Sequence, residues 1–182
     1  MNQKLQPITQ KQTSDFFDLY ISAFPPDERR DWMNADDAND FLMKNCSVFH
    51  IMSATATIDG KEQFAGFISY WILKNDVAYI EHFAVMPHIR GKQLGSRILS
   101  EFEKMFPKTI LEVELPETSE AKRRIEFYRR SGFTDWPGIQ YIQPAYSSGK
   151  SPMPLMLMSK GLTLEHEDDP VILEIKQKVY GV

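Results

Sequence analysis

Residues 77–85, VAYIEHFAV, constrain the fold of this chain more than any other stretch. The run is apolar at nearly every position, which predicts a strand covered on both faces, as at the centre of a sheet. A glycine-containing loop follows, and then apolar residues recur at helical spacing until Pro107 ends the pattern. These residues are Leu94, Ile98, Leu99, Phe102 and Phe106. A buried strand that leads into an amphipathic helix predicts an α/β domain.

The remaining hydrophobic patterns continue this alternation of strands and helices. Further helices are predicted at residues 13–24, 36–44 and 118–132. Strands are predicted at residues 5–8, 109–115, 133–143 and 153–159, and on both sides of a turn at Asp59 and Gly60. At 182 residues, the chain fits one domain, residues 1–182.

Composition excludes several classes of function. The formal net charge of −4 argues against a nucleic-acid partner, because binding phosphates needs a basic face. No window is apolar over the length of a membrane span, and the first ten residues lack the apolar core of a signal peptide, so we expect a cytoplasmic protein. A single cysteine, Cys46, excludes an internal disulfide, and the histidines show no metal-ligand spacing.

The loop between the buried strand and its helix has the chemistry of an anion site. Gly91 and Gly95 allow close backbone approach, Arg90 and Lys92 carry positive charge, and the first amides of a helix lack internal partners. A pyrophosphate fits such a site. The spacing alone leaves another interpretation open, in which the glycines only serve the turn and the cations are solvated. Neither the P-loop pattern nor the dinucleotide fingerprint is present.

Two sequence blocks resemble the Gcn5-related N-acetyltransferases. Residues 83–99, FAVMPHIRGKQLGSRIL, are similar to the acyl-CoA signature of that family, with Gln93 where its central glycine usually stands. Residues 123–133, RRIEFYRRSGF, are similar to its helix ending in Tyr-x-x-x-Gly-Phe. Ala121 stands where many members carry an asparagine.

The resemblance implies a fold and a reaction. The fold is a mixed, mostly antiparallel sheet of six to seven strands, flanked by helices and splayed at its central strands to bind acyl-CoA. The reaction is transfer of an acetyl group from acetyl-CoA to a primary amine, by direct attack. The pantetheine arm would lie along Phe83, Ala84, Val85 and Met86. The pyrophosphate would bind the backbone of Arg90, Gly91, Lys92, Gln93, Leu94, Gly95 and Ser96.

A base assists amine attack, since a lysine-type amine with a pKa of about 10.4 is protonated at neutral pH. Glu81 lies in an otherwise apolar strand, where burial favours the protonated carboxyl. Strand alternation places Glu81 on the face of Phe83 and turns His82 the other way. We therefore expect Glu81 to be the base and His82 a core histidine. A structural ion pair between Glu81 and an arginine is the alternative.

Tyr128 matches the family tyrosine that protonates the departing thiolate, although without the family it reads as a core residue. Direct attack needs no cysteine, so Cys46 is expected to be a small buried residue. We expect the acceptor to be a small-molecule amine or a peptide or protein amine. We expect the chain to be a monomer or homodimer. Two alternatives remain: a non-catalytic acyl-CoA-binding sensor or interaction module, and a nucleotide-binding protein that uses the same loop.

Overall fold

The computed structural model describes residues 3–58, 60–90 and 93–182. The α-helices are α1 (Thr13–Ala23), α2 (Ala35–Lys44), α3 (Leu94–Met105), α4 (Ser119–Arg130) and α5 (Pro170–Ile175). Helix α5 continues as a π-helical segment, Lys176–Tyr180, which we call the C-terminal π-turn. The strands are β1 (Gln3–Pro7), β2 (Phe49–Ile58), β3 (Lys61–Ile72), β4 (Val77–Val85), β5 (Lys108–Glu114), β6 (Thr134–Asp135), β7 (Tyr141–Gln143) and β8 (Met153–Lys160).

The strands form one mixed sheet in the order β1-β2-β3-β4-β5-β8-β6, and β7 also pairs with β8. Every pair is antiparallel except β4 with β5. The predicted fold class is therefore confirmed. The sheet has eight strands instead of six to seven, because residues 133–143 form two short strands, β6 and β7.

The sheet opens between β4 and β5, as the resemblance implied. The two strands pair only from Val77 to Ile80 on β4 and from Lys108 to Leu111 on β5. Beyond those residues the facing edges of both strands are unpaired with each other. Parallel neighbours need a long crossover, and α3 supplies it, so the N-terminus of α3 lies beside the point where the strands part.

Helices cover both faces of the sheet and bury β4 on each side. On one face, Phe16 and Tyr20 of α1 pack with Phe67 of β3. On the other, Leu99 and Phe102 of α3 join a separate core. We call these the α1 face and the α3 face. Burial on both faces confirms the prediction for residues 77–85.

Most predicted elements agree with the structure to within a few residues, because their boundaries are set by local signals. The Thr118 hydroxyl accepts a hydrogen bond from the Ala121 amide at 3.0 Å. Thr118 therefore caps the N-terminus of α4, as expected for a threonine at this position. Gly60 has a φ of 77°, which suits the predicted turn, whereas Asp59 lies outside the described residues. The expectation for Cys46 was wrong: its side chain is exposed in the turn after α2. Among the described residues, no helix has the length and apolarity to cross a membrane.

Gly66 fixes how closely β3 approaches β4. A β-carbon at this position would lie 2.4 Å from the carbonyl oxygen of Ala84. We expect Gly66→Ala to lower the free energy of unfolding by about 1–3 kcal/mol, because the extra methyl forces the backbone of β4 to shift. Urea unfolding measures the loss. Gly138→Ala is the matched control, since a β-carbon there meets no atom within 4 Å; equal stability of the two variants would contradict the prediction.

Candidate active site

A cleft of about 550 Å³ opens where β4 and β5 part. Its walls on the α3 face are Phe83, Val85, Leu94, Phe127 and Tyr128. Its walls on the α1 face include Phe24, Glu81, His82, Glu112, Gln143 and Tyr146. The cleft therefore reaches both faces of the sheet, with an apolar side near α3 and a side rich in ionisable groups near α1.

The N-terminus of α3 forms one wall of the cleft. The first bond of the helix joins the Arg97 amide to the Gln93 carbonyl at 3.1 Å. The three preceding amides, of Leu94, Gly95 and Ser96, make no hydrogen bond with any described residue. Unbonded amides and the positive end of the helix dipole favour an anion here.

Arg90, the first residue of the predicted anion site, makes hydrogen bonds within the chain. The amide of Arg90 donates to the Pro87 carbonyl at 3.3 Å, and its Nε donates to the Val85 carbonyl at 3.0 Å. These bonds arise because a short 3-10 turn, Pro87–Ile89, follows β4 and folds Arg90 back over the strand end. Arg90 still lines the cleft through its side chain. Gly91 and Lys92 lie outside the described residues.

Three of the four residues predicted to contact the pantetheine arm line the cleft. Phe83, Ala84 and Val85 line the cleft. Met86 is not part of that lining, and its amide donates to the Ala65 carbonyl at 2.9 Å, because β3 continues to pair with the chain at this point. The part of β4 that faces the opening therefore ends at Val85.

Gln93 has a left-handed backbone, with φ at 55°. This conformation explains why the family usually has glycine at the position, since only glycine adopts it without strain. We expect Gln93→Val to lower the free energy of unfolding by about 1–2 kcal/mol and Gln93→Gly to be tolerated, because a branched side chain clashes at positive φ. Thermal unfolding of the two variants compares them directly. A similar loss in both would show that the side chain, not the backbone, matters.

Glu81 occupies an irregular position in β4. Ser69 pairs with His82 and the next residue, Tyr70, pairs with Ile80, so Glu81 is the extra residue of a β-bulge. Consequently Glu81 and His82 both turn to the α1 face, where the ring of His82 lies 4.6 Å from that of Phe24. Phe83 lies on the opposite face. The predicted arrangement, with Glu81 beside Phe83 and His82 opposite, was therefore wrong.

The Glu81 side chain is fully buried and both of its oxygens are engaged. Nη2 of Arg30 donates to Oε1 at 2.6 Å, and Nε1 of Trp71 donates to Oε2 at 2.9 Å. The guanidinium of Arg30 also lies over the ring of Phe41, 4.3 Å from its centroid. The structure thus shows the ion pair that the sequence left as an alternative. No sequence signal singled out Arg30, since it comes from a loop 51 residues before its partner.

His82 is a satisfied core histidine, as expected. Its Nε2 donates to the Glu28 carbonyl at 2.8 Å, and its Nδ1 lies 3.4 Å from the Ser69 hydroxyl. Burial lowers the pKa of His82, which keeps the ring neutral at physiological pH.

Tyr128 extends from α4 into the cleft and is 7% exposed. Its ring packs edge-on against Phe127 and Phe133. Its hydroxyl makes no hydrogen bond with any described residue. Burial raises the pKa of Tyr128 to about 12, partly offset by the positive charge of Arg124. The hydroxyl is therefore protonated at neutral pH and available as a donor.

Sequence reasoning missed Glu112, the other carboxylate at the centre of the cleft. It follows Leu111, the last residue of β5 that pairs with β4. Tyr141 donates to Oε1, and Tyr180 of the C-terminal π-turn donates to Oε2 at 3.0 Å. Burial raises the pKa of Glu112 to about 7 despite these bonds. Its signal in the sequence, an acid inside an apolar strand, was the same as that of Glu81.

Gln143 also went unnoticed in the sequence. It is 4% exposed and lines the cleft, and its amide nitrogen has no partner among the described residues. A buried donor without an acceptor is costly, so a ligand atom that accepts this hydrogen bond would be favoured. Elsewhere in the described chain, no three acidic, histidine or cysteine side chains are grouped to hold a metal ion.

Sequence comparison supplies the remaining evidence. The pattern that defines the acetyltransferase (GNAT) family matches residues 13–133, which span α1 to α4 and include β4 and β5, the two strands that part at the cleft. The chain belongs to the GNAT acetyltransferase family. Among proteins with curated functional descriptions, none matches this sequence.

Solved GNAT structures superpose on most of this chain. A GNAT-family protein from Bacteroides thetaiotaomicron has 33% identity and a TM-score of 0.82, covering 98% of this chain and 99% of its own. The acetyltransferase yncA from Salmonella typhimurium, solved with its cofactor acetyl-CoA, has 15% identity and a TM-score of 0.64 over 93% of this chain and 99% of its own. The spermidine/spermine N-acetyltransferase SpeG from Vibrio cholerae has 12% identity and a TM-score of 0.63 over 86% and 91%. The last two likenesses show the fold alone.

Proposed function

We propose that this GNAT acetyltransferase transfers an acetyl group from acetyl-CoA to a primary amine. The observation that carries the proposal is the cleft itself, which joins the anion-favouring end of α3 to a side lined by carboxylates. Acetyl-CoA supplies the thioester and a diphosphate. The diphosphate would bind the amides of Leu94, Gly95 and Ser96, and the pantetheine arm would lie along Phe83 to Val85. The acetyl-CoA complex of yncA supports the choice of co-substrate.

The α1 side of the cleft suits a cationic acceptor. Glu28, Glu112 and Glu114 line it, and Glu114 is paired with Arg124. A protonated amine is attracted to the two carboxylates that have no ion pair among the described residues, Glu28 and Glu112. Gln143 adds an unmet donor for a polar atom of the ligand. SpeG, a structural relative, acts on spermidine and spermine. We therefore propose a small-molecule amine as the acceptor in preference to a protein lysine.

Tyr128 is the proposed acid. Its protonated hydroxyl would donate to the thiolate as the carbon–sulfur bond breaks. The sequence predicts Glu81 as the base, but its two oxygens accept hydrogen bonds from Arg30 and Trp71. The other buried carboxylate of the cleft is therefore a second candidate for this role.

The decisive experiment incubates the protein with acetyl-CoA and a panel of primary amines and follows the release of free thiol. We expect turnover with at least one small polycationic amine. Calorimetry with acetyl-CoA alone is the companion measurement. Tight cofactor binding without turnover on any amine would instead support the non-catalytic sensor, and no cofactor binding would reject both.

A further inference from the structure

The C-terminal π-turn packs against the carboxylate side of the cleft. The Tyr180 hydroxyl reaches Oε2 of Glu112 at 3.0 Å and the hydroxyl of Tyr79 at 3.0 Å, and its ring lies 5.0 Å from that of Tyr146. The adjacent carbonyl of Val179 accepts a bond from Arg30 at 3.3 Å. The last turn of the chain therefore contacts both buried acids of the cleft, one directly and one through its arginine.

Glu112 and Glu81 differ in the groups that bind their carboxylates. Glu81 is neutralised by a guanidinium, whereas Glu112 is held by neutral hydroxyls from β7 and the C-terminal π-turn. Among the ion pairs of the described chain, none includes Glu112. Each of its oxygens accepts a hydrogen bond from a tyrosine hydroxyl and has a further lone pair. An ammonium group that enters the cleft would supply the positive charge that Glu112 lacks.

We propose that Glu112 is the group that takes the proton from the acceptor amine, and that the C-terminal π-turn belongs to the active site because Tyr180 orients that carboxylate. The proposal rests on the acetyltransferase function proposed above and names the base for it. Tyr180 is a positioning residue, since it acts through Glu112.

The groups around Glu112 leave its charge uncompensated. The titratable groups that face it are the tyrosines Tyr79, Tyr141, Tyr146 and Tyr180 and the carboxylate of Glu81. Two cations contact these groups but not Glu112 itself, Arg30 and Lys176. Arg30 is committed to Glu81, and the Lys176 ammonium lies over the ring of Tyr141, 5.6 Å from its centroid. Burial, helped by the charge of Glu81, raises the pKa of Glu112 to about 7. A base is most effective when its pKa lies near the working pH.

The carboxylate of Glu112 accepts one proton from the ammonium, and the neutral nitrogen forms a bond to the thioester carbon. The carbon–sulfur bond breaks, and the sulfur receives the proton of the Tyr128 hydroxyl. The second proton that the nitrogen loses returns to the Tyr128 oxygen through water, and Glu112 releases its own proton to solvent.

The test compares wild type with Glu112→Gln on the best amine found in the panel. We expect kcat/KM to fall about 100-fold or more, and the acid limb of the pH–rate profile near pH 7 to disappear. Binding of acetyl-CoA should be unchanged. With an acceptor amine of low basicity, which is already neutral at pH 7, kcat/KM of Glu112→Gln should fall much less, because that amine needs no base. Glu101→Gln, an exposed acid on α3, is the control.

Tyr180→Phe provides the second variant. Its hydroxyl bond lowers the pKa of Glu112, so its removal should shift the acid limb to higher pH while the protein stays folded. A purely structural Tyr180 would change stability and leave the limb in place. Retention of the wild-type limb in Glu112→Gln, or its loss in Glu81→Gln instead, would overturn the proposal. A wild type that binds acetyl-CoA but acetylates no amine would overturn the proposed function itself.

The pH dependence of stability gives a readout independent of turnover. The pKa of Glu112 is higher in the folded chain, at about 7, than the ordinary value of 4.5, so its contribution to stability is full below pH 4.5 and is lost as the pH rises through 7. Urea unfolding of Glu112→Gln should lack this loss. An equal decline in both proteins would show that Glu112 titrates normally and would count against it as the base.

Discussion

Replacing Tyr128 by phenylalanine is expected to lower kcat by about 100-fold to 10,000-fold, the range typical of a lost general acid. The change removes one hydroxyl from a ring whose packing against Phe127 and Phe133 is retained. The affinity for acetyl-CoA should therefore stay within about twofold, and the loss should lie in kcat and not in KM. Single-turnover kinetics with saturating amine measure it.

The matched control for Tyr128 is Tyr70→Phe. Tyr70 is also a buried tyrosine on the α3 face, where its ring meets Phe102 edge-on at 4.9 Å, but it does not line the cleft. It should keep the wild-type rate. If Tyr128→Phe behaved like this control, Tyr128 would be a core residue only, as it reads without the family, and the leaving thiolate would need another donor.

Arg30→Met is expected to lower the free energy of unfolding by about 3–5 kcal/mol. The substitution leaves the fully buried carboxylate of Glu81 without its cation, and an unpaired buried charge is far more costly than the pair was worth. It also removes the bond to the Val179 carbonyl and the contact with Phe41. Urea unfolding at pH 7 measures the loss.

The double variant Arg30→Met, Glu81→Gln tests the reason for that loss. Removing both charges should recover much of the stability lost by Arg30→Met alone, because no unpaired ion remains. Additive losses would mean that the two side chains do not depend on each other. The single variant Glu81→Gln, assayed for turnover, tests whether Glu81 is the base.

Local sequence patterns predicted the elements that form the cleft. Each of these signals depends on residues a few positions apart: the apolar run of β4, the amphipathic pattern of α3 and the cap at Thr118. The type and position of these elements could therefore be predicted from the sequence. The loop before α3 was also predicted to be an anion site, and the N-terminus of α3 lines the cleft. The left-handed backbone of Gln93 shows how the chain keeps the loop without the usual glycine.

The arrangement of side chains within the cleft could not be predicted from local sequence patterns. Strand alternation gave the wrong face for Glu81, because a bulge shifts the register by one residue after Ser69. Such a shift depends on how β3 and β4 pair, and no pattern within β4 signals it. The exposed position of Cys46 was likewise decided by the turn that follows α2.

The sequence by itself determined that the chain forms an α/β acetyltransferase fold with an anion-favouring loop and a tyrosine at its cleft, because short-range periodicity and two motifs carry that information. Only the tertiary structure decided which acid is neutralised and which is left without a counter-charge. Arg30 lies 51 residues before Glu81, and Tyr180 lies 68 residues after Glu112. Contacts over such separations arise from packing around the whole sheet, so the chemistry of each carboxylate is a property of the folded chain.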